Sequence, residues 1–307
     1  MKIETDLALP GAQLAARKIP GHWLLARLGK KVLRPGGLEL TRSMLQALGI
    51  RRSDEVVEFA PGLGATMRLV LELQPASYTG VEENEAAADR IGSTLTSIRH
   101  KCLVGSASQT HLPAESATVV YGEAMLTMQG AAQKRQIVRE AARILKPGGR
   151  YAIHELCLVP DNLDKSTKQE IQHTLSKAIH VGARPLTVTE WRDLLEVEGF
   201  TVCAEARRPM RLLRLQRLIQ DEGWWGALQF ALNLCRDKDA RRRVVEMRSI
   251  FKKYGSQIAA IVLVGLKDSD RSERGRPIQK ELESTHISPS KRIMTLPDLA
   301  WLRRPLP

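Results

Sequence analysis

"VEFAPGLGATM", residues 57–67, sets two glycines one residue apart, after an apolar run and before a helical pattern. A glycine pair between a strand and a helix lets backbone N–H groups approach a ligand closely. The dinucleotide fingerprint asks for a third Gly or Ala three residues beyond the second glycine. Counted from Gly62 that position is Met67; counted from Ala60 it is Ala65, with Pro61 inside the turn. An acidic pair fits better. Glu58 stands four residues before Gly62, and Glu82 twenty residues after it, at the end of the next apolar stretch. A carboxylate at that second-strand tip suits a ribose diol, because it can accept from both hydroxyls. The expected ligand carries a ribose, in a loop not tuned for a pyrophosphate.

Outward from this loop, strand and helix patterns alternate. "EVVEFA" (55–60), "ASYTGVEE" (76–83), "KCLVGSA" (101–107), "ATVVYGE" (117–123) and "RYAIHELCLV" (150–159) read as strands. Helical periods fall at 65–73, at 84–98 with Asn84 as N-cap, and at 131–145, where Ile137, Val138, Ala141, Ile144 and Leu145 share a face. "KPGG" (146–149) stops that third helix. Further helices are expected over 162–180 and 187–200, and further strands at 201–206 and 259–267. The alternation predicts an α/β fold: a parallel sheet with helices on both faces.

Taken in order, these stretches resemble the class I S-adenosylmethionine-dependent methyltransferases, in particular the small-molecule, ubiquinone/menaquinone-methyltransferase-like branch. The resemblance rests on "VVEFAPGLGATM", "YTGVEENEAAADRI", "LVGSASQTHLPAESATVV", "EAARILKPGGRYAIHE" and "RPLTVTEWRDLLEVEGFTV", roughly residues 40–206, plus the strand at 259–267. It implies a Rossmann-like sheet of seven strands, mostly parallel with the last antiparallel, and S-adenosylmethionine as cofactor. By the same resemblance, Glu58, Ala60 and the Gly62–Gly64 backbone would meet the methionine part. Glu82 would hold the ribose, and Ser106 and Ala107 would lie on the adenine side. Three positions depart from the family pattern. Ala60 replaces a glycine, which is tolerable if its dihedrals are ordinary. Glu83 replaces an apolar residue, and Ser106 replaces a frequent Asp.

Methyl transfer is an in-line displacement in which the protein mainly aligns nucleophile and methyl carbon. A base helps when the acceptor must lose a proton. Glu123, after the fourth strand, and His154, on the fifth, are the catalytic candidates; the bland alternatives are that Glu123 caps or positions cofactor and that His154 or Glu155 is a satisfied polar group within the sheet edge. His22 and Trp23 are further candidates in a segment that could fold over the site. Neither an Asn/Asp-Pro-Pro-aromatic signature nor a Pro-Cys pair is present, so the expected acceptor is a small molecule, and a lipophilic one suits the sequence.

The 307-residue chain carries a formal net charge of +13, much of it in residues 207–253. That stretch forms a basic helical insertion (207–257) between strands six and seven. Leu212, Leu215, Leu218 and Ile219 are expected on one face, with Arg211, Arg214 and Arg217 on another. The insertion reads as a cap on the sheet, a lid over an apolar acceptor, or an anionic-membrane contact carrying Trp224 and Trp225. No recognised nucleic-acid module accompanies the charge, so nucleic acid is not an expected partner. A non-catalytic module binding membrane or RNA through the insertion is the alternative function, and a nicotinamide oxidoreductase is third. Domain limits are read as 1–267, with an N-terminal helical segment over 1–50, followed by a polar tail at 268–307 expected to be mostly disordered. Cys102, Cys157, Cys203 and Cys235 are scattered and read as reduced thiols, with no metal cluster. No secretory or membrane-spanning segment is recognised, so a cytoplasmic location is expected.

Overall fold

The computed structural model describes residues 9–268 apart from 12, 211, 212 and 214, and apart from the side chain of Leu215. The tail beyond Asp268 lies outside the described residues, as do the Arg211, Leu212 and Arg214 face of the insertion and the extreme N-terminus.

A sheet of eight strands organises the molecule. β1 (Glu55–Phe59), β2 (Ser77–Glu82), β3 (His100–Val104), β4 (Ala117–Glu123) and β5 (Leu145–Leu158) follow the expected alternation, and a two-residue β6 (Leu186–Thr187) pairs with β5. β7 (Phe200–Pro209) and β8 (Ile258–Lys267) complete the order β3-β2-β1-β4-β5-β8-β7, with β8 antiparallel to both neighbours. The seven expected strands are all present. β6 is too short to leave a sequence period.

Alternation along β1 explains why both faces are covered. Val57 and Phe59 face a core shared with α5 (Ala131–Ile144) and α7 (Val188–Val197), where Trp191 is fully buried. Val56 faces the opposite core with α2 (Gly37–Leu48), α3 (Ala65–Glu72) and α4 (Glu85–Gly92). Each fully buried large apolar side chain contributes about 1.5–3 kcal/mol. Asn84 caps α4 by accepting from the Ala87 N–H at 3.0 Å. α4 is shorter than its sequence reading: Ser93 and Thr94 turn their hydroxyls onto the Arg90 and Ile91 carbonyls and end it. α7 opens with a full capping box between Thr187 and Glu190.

A third core lies beside β5 and β8. It joins α1 (Gly21–Arg27), α6 (Lys165–Ile179), α8 (Leu215–Arg236) and α9 (Lys238–Lys253). α8 is broken at Gly223, whose backbone is non-helical. Of the apolar face expected for it, Leu218 is buried and Ile219 packs against the core. Trp224 and Trp225 point to solvent. Cys157 is buried, whereas Cys203 on the outermost strand β7 and Cys235 on α8 are exposed.

The insertion is clamped to the N-terminal loop by a buried ion cluster. Lys30 Nζ sits 3.2 Å from Asp221 Oδ2 and 3.4 Å from Glu222 Oε1. The two carboxylates also accept from the Leu38, Lys31 and Val32 N–H groups. Gly37 permits the approach: its φ is +62°, and a Cβ there would lie 2.5 Å from Asp221 Oδ1. Removing one partner of such a cluster leaves uncompensated buried charge, which costs about 3–5 kcal/mol. Lys30→Met is therefore expected to lose that much stability in urea unfolding; a loss below about 1 kcal/mol would show the clamp to be dispensable.

Candidate active site

The turn after β1 is built by three left-handed residues. Ala60, Gly62 and Gly64 have φ of +53°, +58° and +69°. The expectation of ordinary dihedrals at Ala60 is thus overturned. It occupies the region that normally favours glycine, at about 1–2 kcal/mol, while its N–H donates to the Val81 carbonyl at 2.8 Å. At Gly62 an added Cβ would meet only the Ala60 oxygen, 4.0 Å away, so the loop leaves open space for a ligand. The loop leads into the N-terminus of α3, where backbone N–H groups are unpaired within the helix.

Glu82, at the end of β2, shapes this loop. One carboxylate oxygen accepts from the Gly62 N–H at 2.9 Å and the other from the Asn84 N–H at 3.0 Å. Burial raises its pKa against those hydrogen bonds. Each oxygen retains a second lone pair, so a ribose hydroxyl can still be received. Ser106 and Ala107 follow β3, one strand further out, and do not line the cavity described next. Ser106 instead faces Ser108, 3.0 Å between hydroxyl oxygens.

A cavity of about 240 Å³ opens over the ends of β1, β4 and β5. Glu58, Ala60, Pro61, Gly62 and Glu82 form one wall. The opposite walls are apolar: Trp23 and Leu25 from α1, Leu175 and Ile179 from α6, and Met247 and Phe251 from α9.

Four carboxylates line the cavity, and each is already engaged. Glu58 accepts from the Tyr78 and Tyr121 hydroxyls at 2.5 and 2.7 Å, and burial pushes its pKa up to about 7. Glu155 accepts from the Met125, Leu126 and Thr127 N–H groups and the Thr127 hydroxyl, which fixes the turn after β4. Glu123 faces Arg34 Nη1 at 3.3 Å, accepts from Thr41 at 2.6 Å and from Thr66, and meets His154 Nδ1 at 2.6 Å. Burial opposes ionisation of Glu123, but Arg34, His154 and Thr41 together hold its pKa down to about 2.

His154 is fully buried, and its Nε2 meets the Pro35 carbonyl. Both ring nitrogens are taken and the residue does not line the cavity, so it is corrected from base to structural link. Glu123, with two cationic or ring partners and two hydroxyls, is likewise no free base. His22, from α1, is the one histidine among the described residues that lines the cavity. Burial lowers its pKa to about 4, which keeps the ring neutral. Sequence reasoning missed Arg34, although a lone arginine in "KVLRPGG" interrupts an apolar run before two glycines.

The Glu58 shift has a stability consequence. In the unfolded chain a glutamate titrates near pH 4.3, while in the fold Glu58 keeps its proton until about pH 7. The folded state holds the extra proton across that window, so the contribution is full below the lower value and is lost as pH rises through the upper one. Thermal midpoints of Glu58→Gln, measured from pH 5 to 8, are expected to lack the part of the decline that the parent chain shows; identical slopes would refute this.

Residues 57–153 match the methyltransferase domain family. The chain is 31% identical over 238 residues to an uncharacterized protein of Haemophilus influenzae, covering 76% of this chain and 91% of that one. It is 27% identical over 163 residues to sterol 24-C-methyltransferase erg-4 of Neurospora crassa, covering 50% of this chain and 41% of that protein. Among solved structures, phosphoethanolamine N-methyltransferase 2 of Haemonchus contortus, crystallised with phosphomonomethylethanolamine and S-adenosylhomocysteine, shares the fold with a TM-score of 0.63 at 14% identity, over 87% of this chain and 61% of that one. The matched stretch begins in β1 and holds the glycine loop, Glu82 and Glu123. Residues 57–153 are a methyltransferase domain, and the chain is an S-adenosylmethionine-dependent methyltransferase.

Proposed function

We propose that the chain methylates a small, apolar acceptor, and that it sits on the ubiquinone/menaquinone-methyltransferase-like branch of its family. One observation carries the reading of the acceptor: the cavity is continuous from the glycine loop to a chamber walled by Trp23, Leu25, Leu175, Ile179, Met247 and Phe251. When bound, S-adenosylmethionine supplies an electrophilic methyl group on a sulfonium. Glu82 and the open face of Gly62 fit its ribose and methionine portions. The apolar walls exclude water and hold the acceptor, so alignment is the main contribution of the protein. His22, neutral and facing the chamber, is the group placed to accept a hydrogen bond or a proton from an acceptor hydroxyl. The sterol named in one relative supports an apolar acceptor.

A second reading complements the first: the protein meets an anionic bilayer through α8. Trp224 and Trp225 are 76% and 84% exposed, and Leu228 and Leu232 lie on the same outer face. From Gly223 to Arg236 there is no acidic residue. Exposed tryptophans and leucines on one face suit a lipid headgroup boundary, and the net charge of +13 suits anionic lipid. No helix among the described residues is long and apolar enough to cross a membrane, and a cytoplasmic location with peripheral contact is the expectation.

Calorimetry with S-adenosylhomocysteine is expected to show binding that Glu82→Ala weakens about 10- to 100-fold, the range for losing charge-assisted hydrogen bonds. Radiolabelled methyl donor incubated with cell extract should deliver label to the organic phase, and Phe251→Glu should abolish that transfer while sparing S-adenosylhomocysteine binding. Label confined to the aqueous phase would overturn the apolar acceptor. In vesicle sedimentation, a Trp224→Ser/Trp225→Ser double variant should lose at least about tenfold in binding to anionic phospholipid, since each large apolar side chain contributes about 1.5–3 kcal/mol. Equal sedimentation of variant and parent would remove the membrane reading.

A further inference from the structure

Arg34 stands at the junction of the two halves of the cavity, and half of its hydrogen-bonding edge is unexplained. The residue is 7% exposed and lines the cavity. Its Nη1 faces Glu123 at 3.3 Å. Its Nε and Nη2 are buried and have no hydrogen-bond partner among the described residues. Tyr151 Oη and Arg243 Nε also lack partners, but neither residue lines the cavity.

Burying donors of a charged guanidinium without an acceptor is costly. The Nε and Nη2 N–H groups point the same way and form the fork that chelates a carboxylate. This chain uses that fork twice elsewhere. Arg139 Nε and Nη2 meet the two oxygens of Glu198 at 3.1 Å each, and Arg143 Nε and Nη2 meet those of Glu140 at 2.7 Å each. At Arg34 the same fork has no such partner, and the residue lies on the cavity wall.

The mount is stiff. Pro35 follows directly, and its carbonyl is held by His154 on β5. The Arg34 carbonyl accepts from the Gly37 N–H at 3.3 Å. Nearby acids do not compete for the fork: Glu58 is engaged by two phenols, Glu82 by two backbone N–H groups, and Glu155 by the turn after β4. Glu123 reaches the guanidinium from the opposite edge.

We propose that the Nε–Nη2 edge of Arg34 is a receptor for a carboxylate within the cavity. The inference rests on reading the cavity as the methyltransferase site. Two sources share this chemistry: the α-amino acid end of the methyl donor, and an acceptor that is apolar with a carboxylate terminus. The first would make Arg34 a positioning residue for the donor; the second would make it a selector of acidic acceptors.

The test is titration calorimetry on the full chain with three probes: S-adenosylhomocysteine, 5′-methylthioadenosine, which lacks the amino acid end, and dodecanoate added to protein saturated with either nucleoside. A donor carboxylate predicts that Arg34→Met weakens S-adenosylhomocysteine about 10- to 100-fold and leaves methylthioadenosine unchanged. An acceptor carboxylate predicts unchanged nucleoside binding and a loss of at least about tenfold for dodecanoate. Either result supports the receptor. Equal weakening of S-adenosylhomocysteine and methylthioadenosine, or no change with any probe, overturns it, because Arg34 then only balances Glu123. If Arg34→Met fails to fold, Arg34→Lys decides, since it keeps the charge facing Glu123 but not the fork. A loss of about fivefold or more for one carboxylate probe supports the proposal, and affinities within about twofold for all three overturn it. If the parent chain binds neither nucleoside, the reading of the cavity fails by itself, and dodecanoate binding alone then decides the receptor by the same criteria.

Discussion

The Glu123 carboxylate is the point on which the site is assembled. A buried carboxylate is tolerated only when its charge and lone pairs are met. Its partners come from four directions: Arg34 from the N-terminal loop, Thr41 from α2, Thr66 from α3 and His154 from β5. Each contact fixes one boundary of the cavity. Thr66 sets the start of the helix that follows the glycine loop. Arg34 sets the seam between cofactor wall and apolar chamber. Glu58, paired across from Tyr121 on the neighbouring strand, shows how far surroundings decide. It too is shut away from water, but its hydrogen-bond partners are phenols and Arg34 acts on it only as a minor attraction, so its pKa moves to about 7 while that of Glu123 falls to about 2.

The frame was legible in the sequence because it rests on local periods and turn chemistry. The strands, the Asn84 cap and the glycine loop each carry a signature within a few residues. Of the residues read from the sequence as cofactor-binding, the fold sets Glu58, Ala60, Gly62 and Glu82 on the cavity wall, while Gly64, Ser106 and Ala107 do not line it. His154 read as a base because its strand and position suited one. What spends its two nitrogens, Pro35 and Glu123, lies 119 and 31 residues away in sequence. Ala60 misled for a different reason: a left-handed alanine is an exception to the usual preference, and nothing in the neighbouring residues announces it. β6 and the early end of α4 turn on single pairings and hydroxyl bonds, which have no period.

The two halves of the cavity have different origins in the chain. The glycine-loop wall and three of the four engaged carboxylates fall within residues 57–153, the stretch matched to the family, and Glu155 lies two residues beyond it. The chamber walls from α1, α6 and α9 fall outside it. A shared donor needs a constant wall, while an acceptor is selected by whatever packs opposite. That division explains why the family is evident from this sequence and the acceptor is not. Its chemistry must be read from Trp23, Leu175, Ile179, Met247, Phe251 and the free edge of Arg34.

The chamber walls also show that this selection is built into packing. Arg243 on α9 is buried and donates to the carbonyls of Ala16, Ile19 and Ala178. One guanidinium thereby ties the segment before α1, the end of α6 and the middle of α9. Arg27 adds a bond from α1 to Asp237, the N-cap of α9. Lys30 holds α8 to the loop that carries Arg34. Breaking the Arg243 or Lys30 bonds leaves buried charge or carbonyls unpaired, so the helices are held as one wall. A wall fixed in this way discriminates by shape and by the few polar groups it presents, His22, Lys31 and Arg34 among them. Under the proposed function, the acceptor is the molecule that fills the apolar volume, meets those groups and so brings its nucleophile in line with the methyl carbon.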